Sequence, residues 1–224
     1  MKKVAVIVAG GAGVRMGGDL PKQFLLIGDK PVLYFTLKAF LEAFNDISIV
    51  LILPSEHLKK GREIASNYFS EHRINLVAGG ETRFHSVKNG LASIGQNPCV
   101  VFVHDGVRCL VSPELIQRCY NATLEFGMAI PAISSKDSIR LVEAENNKVL
   151  DRKNVMLIQT PQTFKSELLL SAFDTPYKDS FTDEATVVEL AGAKIHLVEG
   201  EESNIKITKP VDLLIAKQYL GINA

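Results

Sequence analysis

At 224 residues the chain is long enough for one large domain with a complete core. Lysine plus arginine and aspartate plus glutamate both number 25, so no overall positive field draws it to nucleic acid or to an anionic membrane. Cys99, Cys109 and Cys119 are odd in number and widely spaced, which points to neutral or buried thiols rather than disulfides or a zinc site.

Val4–Val8 is a short apolar run with β-branched residues and reads as a buried parallel strand. The run ends at Ala9, too soon for a membrane span or for the apolar region of a signal peptide, so a cytoplasmic location is expected. Ala9-Gly10-Gly11-Ala12-Gly13 follows, where residues without a Cβ let backbone N–H groups converge on an anion. Arg15 and Lys22 come next, with Pro21 fixing the backbone before Lys22. A strand, a glycine turn and two cations predict a polyphosphate site, the alternative being a plain tight turn. The P-loop pattern fails, because no glycine leads to Gly-Lys-Ser/Thr at the right spacing. The dinucleotide pattern fails too, with Met16 where its third glycine belongs and Pro54 where an acidic residue should close the second strand.

Pro31 then opens a helix running to Phe44, Ile47–Leu53 is a second buried strand, and Glu56–Ser70 is a charged amphipathic helix. Ile74–Val77 is a third strand, followed by Gly79-Gly80-Glu81-Thr82-Arg83 and a helix with Phe84, Val87, Leu91 and Ile94 on one face. Val100–Val103 is a fourth strand that runs into His104-Asp105-Gly106-Val107-Arg108. Ser112-Pro113-Glu114 caps another helix, and Met128–Ile133 is a further strand. Strands alternating with helices predict a single Rossmann-like α/β domain over residues 1–224, with an open, mostly parallel sheet and helices on both faces. Ligands in such sheets sit beyond the carboxyl ends of the strands, where all three glycine or charged segments fall.

Residues 134–154 break the rhythm. Ser138–Val142, a polar tip at Glu143–Lys148 and Val149–Arg152 read as a β-hairpin with no helix behind it. Such a hairpin is marginal alone, so it is expected to pack outside its own domain, or else to lie as a flap on the same subunit. Val155–Gln159 is a strand, Thr160-Pro161-Gln162 a turn, and a helix starts at Lys165. Phe181-Thr182-Asp183-Glu184 opens another helix with Thr182 or Asp183 as its cap, Ile195–Val198 is a strand, and Pro210 begins the last helix.

Asp105, after a buried strand, suits a divalent ion or a ribose hydroxyl, with turn capping as the alternative. Arg108 reads as an anion clamp or as half of an ion pair, and His104 as structural. Lys206 alternates with Ile205 and Ile207 and so points away from them, a third cation for phosphates or a solvated lysine. Arg83 and Ser86 could line the crevice or simply start a helix, while Arg152 and Thr182 carry weak signals of their own. No Ser-His-Asp, Cys-His or metal-ligand cluster stands out, which argues against covalent or hydrolytic chemistry. What remains is phosphoryl or nucleotidyl transfer, performed by charge and position on a nucleophile that is already an anion.

The segments AGGAGVRMG, PKQ, GGETR with Ser86, HDGVR, DR, TPQ, FTDEA and NIKIT, in that order, resemble the 2-C-methyl-D-erythritol 4-phosphate cytidylyltransferases. The glycine loop with its two cations is shared by many sugar nucleotidyltransferases; the later segments are more specific. The resemblance spans nearly the whole chain and implies transfer of CMP from CTP to methylerythritol phosphate, with Mg²⁺ and release of pyrophosphate. It implies that Ala9, Gly10, Gly11, Ala12 and Gly13 cradle the nucleotide, and that Arg15, Lys22, Arg152 and Lys206 are the catalytic cations. Gly80, Glu81 and Ser86 match positions around the cytosine, and Asp105 the ribose and metal position. Gly106, Arg108, Ser138, Arg152 and Thr182 match positions around the sugar-alcohol phosphate. The hairpin matches an arm that embraces a second subunit, making a homodimer in which Ser138, Arg152 and Thr182 serve the partner's site. Gly10, Gly106-Val107, Cys109 and Ser138 depart from the family's common spelling without removing a charge. Two alternatives are a ribitol-5-phosphate cytidylyltransferase, which the AGG spelling also resembles, and a catalytically silent nucleotide-binding regulator.

Overall fold

The computed structural model describes residues 1–11 and 20–222. The chain opens with β1 (Lys2–Val8), then a 3-10 turn at Lys22–Phe24 and the short antiparallel pair β2 (Leu26–Ile27) and β3 (Lys30–Pro31). α1 (Val32–Ala43), β4 (Ser48–Leu53), α2 (Leu58–Tyr68), β5 (Ile74–Ala78), α3 (Arg83–Ala92) and β6 (Cys99–Asp105) alternate as the apolar runs predict. α4 (Pro113–Phe126), β7 (Met128–Ser134), the hairpin β8 (Ile139–Glu143) and β9 (Asn146–Leu150), and β10 (Met156–Ile158) follow. The chain closes with β11 (Gln162–Lys165), α5 (Ser166–Phe173), α6 (Glu184–Leu190), β12 (Leu197–Glu199) and α7 (Pro210–Tyr219). Local chemistry sets several boundaries. The Ser112 hydroxyl accepts from the Leu115 N–H at 3.0 Å to start α4, and Gly127 ends that helix at φ 85°. Asp183, not Thr182, caps α6, accepting from the Thr186 N–H at 2.9 Å.

The main sheet runs β5-β4-β1-β6-β11-β7, with β5, β4, β1 and β6 mutually parallel. β11 is antiparallel to both β6 and β7. β12 adds to β7 in parallel, and β10 pairs antiparallel with the same strand. Because β1 leads outward to β4 and β5 and the chain then returns to β6 on the other side of β1, the strand order switches between β1 and β6. Both faces are covered. Leu33, Phe40, Ile64 and Ile116 of α1, α2 and α4 pack on Ala5, Ile7, Leu51 and Phe102. Phe84, Val87, Leu169 and Val188 of α3, α5 and α6 pack on Val4, Val6, Val50 and Val101. Alternate residues of each central strand thus serve opposite cores. α7 closes a smaller cluster, with Ala216 among Ile27, Val32, Cys109 and Ile207.

Among the described residues β8 and β9 pair only with each other. Their turn is two residues, Ala144-Glu145, tighter than the predicted 143–148 tip because Glu143 already pairs with Asn146. Val142 and Val149 are 69% and 67% exposed. The three cysteines are free and buried, and burial pushes the Cys109 and Cys119 thiols up to about 12. No described helix is long and apolar enough to cross a membrane.

Candidate active site

Four parallel strands end level with one another. Val8 is in register with Ile52 on one side and Asp105 on the other. Beyond the ends the ladder continues for one bond each: Ala9 N–H to Ile52 O at 2.9 Å, Gly79 N–H to Leu53 O at 2.9 Å, and Gly106 N–H to Val8 O at 2.8 Å. The Gln23 amide donates to Ala9 O at 2.7 Å, tying the residue after β1 to the 3-10 turn at Lys22–Phe24. Together these ends enclose a cleft of about 770 Å³ at the switch in strand order, large enough for a nucleotide.

Asp105 is the electrostatic centre of the cleft. Lys206 Nζ lies 2.9 Å from its Oδ2, Arg83 Nε 3.4 Å from its Oδ1, and Arg108 Nε 3.6 Å from its Oδ2. Burial alone would raise this carboxyl, but Arg83, Lys206 and Arg108 together hold it well below the usual carboxylate range. Burial also works against the charge on Arg83, yet Glu184 and Asp105 outweigh it and lift its pKa above the ordinary guanidinium value. Behind Asp105 the hydrogen bonds have a fixed direction. The Asp105 N–H donates to Thr160 Oγ1 at 3.1 Å, and Thr160 Oγ1 lies 3.0 Å from His104 Nδ1. His104 Nε2 lies 3.2 Å from the Arg108 carbonyl, which can only accept, so the partners assign the ring proton to Nε2. Burial pushes this imidazole down to about 3, so it stays neutral.

On the far side of the cleft, Ser86 Oγ accepts from the Gly80 N–H at 3.1 Å, and Thr82 caps α3. A Cβ on Gly80 would stand 2.5 Å from that of His85, so this close approach requires glycine. A Cβ on Gly106 would stand 2.9 Å from that of Ala9, whereas one on Gly10 would meet no described atom within 4 Å.

A family model described as 2-C-methyl-D-erythritol 4-phosphate cytidylyltransferase matches residues 3–222. The protein of that name from Phocaeicola vulgatus is 44% identical over 97% of this chain and 99% of its own. The chain belongs to this family. The crystal structure of 4-diphosphocytidyl-2C-methyl-D-erythritol synthase from Anaerococcus prevotii has a TM-score of 0.84 at 29% identity, covering 98% of both chains. The 2-C-methyl-D-erythritol 4-phosphate cytidylyltransferase of Francisella tularensis has a TM-score of 0.80 at 32% identity, over 97% of this chain and 99% of that one. As a member of the cytidylyltransferase family, the protein is a nucleotidyltransferase.

Of the residues that the resemblance to the cytidylyltransferases selects, Ala9, Gly10, Gly11, Lys22, Gly80, Glu81, Ser86, Asp105 and Lys206 line the cleft. Lys22 is only 7% exposed. Gly106 and Arg108 adjoin it through Asp105. Ser138, Arg152 and Thr182 are exposed and do not line it; Arg152 Nη1 donates instead to the Lys136 carbonyl at 2.7 Å. Ala12, Gly13 and Arg15 lie outside the described residues. Among the described residues no three His, Cys, Asp or Glu side chains cluster as a metal cage.

Sequence reasoning missed Ser55 and His57, which line the cleft from the end of β4. It also missed what the family's specific segments do, which is to tie the site together. Gln162 of TPQ donates to Asp183 at 2.8 Å and accepts from the Ala185 N–H at 2.8 Å. Asn204 of NIKIT donates to Thr160 O at 2.8 Å, and its own carbonyl accepts from Arg108 at 2.8 Å. Ile207 N–H donates to Val107 O at 3.0 Å, which swings Lys206 over Asp105.

Proposed function

We propose that the protein transfers CMP from CTP to 2-C-methyl-D-erythritol 4-phosphate, a step of isoprenoid precursor synthesis, releasing pyrophosphate and forming 4-CDP-2-C-methyl-D-erythritol. One observation carries this reading: Lys22, Asp105 and Lys206, selected from separate segments, meet in one cleft at the strand switch beside Gly80 and Ser86. The acceptor's phosphate oxygen attacks the α-phosphorus of CTP, one P–O bond forms, and the bond to the pyrophosphate oxygen breaks. A monoester whose second pKa is about 6 is already largely ionised at neutral pH, so no base need take a proton. The protein's part is to hold the two phosphates in line and stabilise charge on the transferring group. Gly10 and Gly11 present backbone N–H groups to the triphosphate, while Ala9, its own N–H bonded to Ile52 O, holds the start of the segment whose Ala12 and Gly13 the resemblance assigns to the same task. Lys22, Arg15 and Lys206 meet the charge that grows on the phosphorus and leaving group. Gly80, Glu81 and Ser86 take the cytosine edge, and Asp105 the ribose.

Asp105 also fits one divalent cation. A single carboxylate, with nucleotide phosphates completing the shell, is the donor set Mg²⁺ commonly takes. Bound there, Mg²⁺ would neutralise phosphate charge.

The acceptor side is built across a homodimer. Ser138 and Arg152 stand at the base of the hairpin, Thr182 precedes α6, and all three are exposed. Val142, Val149 and the adjoining Met156, Leu157 and Ile158 form uncovered apolar surface along residues 134–158. A neighbouring subunit covering that surface would receive Arg152 and Ser138 beside its own Gly106 and Arg108. Residues 1–224 thus act as one nucleotidyltransferase domain with 134–154 as its arm. Free, buried thiols suit a reducing cytoplasm.

Pyrophosphate release measured with CTP and each acceptor tests the reading. Methylerythritol phosphate should turn over faster. Equal or better turnover with ribitol 5-phosphate would reverse the acceptor, and CTP binding without release would favour a silent regulator.

A further inference from the structure

The three cations around Asp105 are held very differently. Arg83 is gripped by Glu184, whose side chain is 1% exposed. Arg83 Nη1 donates to Oε1 of Glu184 and Nη2 to Oε2 at 3.0 Å, so both prongs of the guanidinium fork are taken. Only Nε is left for Asp105, at 3.4 Å. Arg108 is tied to the Asn204 carbonyl at 2.8 Å. Lys206 comes nearest, at 2.9 Å, yet its side chain is 41% exposed and hangs on a flexible stem.

An arginine fork turned squarely onto a carboxylate occupies both oxygens. Without Glu184, the one buried carboxylate among the described residues left for Arg83 to face is Asp105. We propose that Glu184 is a positioning residue that holds the Arg83 fork off Asp105, leaving Asp105 able to exchange Lys206 for the divalent cation that accompanies the nucleotide. Lys206, the one loosely held cation of the three, then turns toward phosphate. The inference rests on the reading of Asp105 as a metal-facing carboxylate. It also gives FTDEA a purpose: the helix start that carries Thr182 plants Glu184 under the nucleotide half of the cleft.

The test is Mn²⁺ binding, followed by its paramagnetic resonance signal in the presence of a non-hydrolysable CTP analogue. Glu184→Gln should weaken Mn²⁺ binding about tenfold or more, while metal-free analogue binding changes less than about threefold. Glu184→Asp, which keeps the charge, should restore much of the Mn²⁺ affinity. The paired change Arg83→Met with Glu184→Gln removes fork and counter-charge together and should bind Mn²⁺ at least as well as wild type. Unchanged Mn²⁺ affinity in folded Glu184→Gln would overturn the proposal, and so would a tenfold loss in the paired variant. If Glu184→Gln does not fold, the paired variant alone decides. Asp105→Asn separates the two levels of inference. If it leaves Mn²⁺ binding intact, the metal reading of Asp105 is wrong; if it abolishes binding while Glu184→Gln does not, only the role of Glu184 is wrong.

Discussion

The loop after β6 and the hairpin of β8 and β9 both carry residues assigned to the reaction, but they are built in opposite ways. Every turn of the 105–108 backbone is anchored by a different part of the chain. Thr160 holds the Asp105 N–H, Val8 the Gly106 N–H, and the Thr36 hydroxyl donates to Gly106 O at 3.0 Å. Ile207 and His104 take the next carbonyls. The hairpin has its own ladder, the Arg152–Lys136 bond and exposed apolar side chains. A preorganised site can stabilise a transition state without reorganising when charge develops. An arm tied mainly to itself would take its geometry from whatever it packs against, as the proposed homodimer requires.

The largest effect should come from breaking the rigid side. Lys22→Ala should lower kcat by about a hundredfold or more if the amine meets charge that develops in the transition state. Lys22→Arg should not restore it fully, because the two cations differ in geometry. A raised KM for CTP at unchanged kcat would reduce Lys22 to ground-state binding.

The arm is tested by complementation. Lys22→Ala and Arg152→Ala homodimers should both be nearly inactive. After subunit exchange at equal amounts, half the dimers are mixed, and each mixed dimer has one intact site if Arg152 serves its neighbour. Activity should return to roughly a quarter of wild type. No recovery after verified exchange would mean that the arm serves its own chain.

The third prediction concerns pH. The folded His104 pKa of about 3 lies below the ordinary value of about 6.5, so below pH 6.5 the unfolded chain takes up a proton that the folded one refuses. That stability is complete above about 6.5 and is lost as pH falls toward 3. Between pH 6.5 and 5 the loss is about 2 kcal/mol. Urea titrations of His104→Gln should show a flatter slope across that interval; parallel slopes would count against the buried, neutral ring.

Smaller effects separate the two regions by packing. Gly106→Ala should destabilise by about 1–3 kcal/mol because its methyl would meet Ala9, and Ala9→Gly should recover part of that loss. Gly10→Ala should be close to silent. In the arm, Ala144 sits at φ 52°, so Ala144→Gly should steady the hairpin by about 0.5 kcal/mol and leave kcat alone. Thermal midpoints and steady-state rates check all four.

How much of this was legible depended on where the information lies along the chain. β1 and β6 announce themselves as unbroken apolar runs, and the cleft follows from glycines and charges placed at their ends. Gln162–Lys165 does not announce itself: only Phe164 is apolar, and the segment is a strand because β6 and β7 pair with it from both sides. Glu184 reads locally as an acidic residue in a first helical turn, which needs no partner to explain it. Its partner Arg83 lies 101 positions earlier, and no local pattern links the two. The hairpin was legible, but its turn was read too wide because Glu143 and Asn146 look like tip residues until their pairing is known.

The placing of β11 between β6 and β7 has a consequence for how the chain comes into being. β6 leaves the ribosome complete at Asp105, with every residue destined for burial, but its outer edge has no partner until Lys165 has emerged. At about 5–20 residues per second that interval is roughly three to twelve seconds. Throughout it a strand that ends up buried along its whole length offers a bare edge to any neighbouring nascent chain. Closure then falls to a segment with little strand character of its own, so synthesis halted before Gln162 would leave a half-built sheet as a nucleus for aggregation.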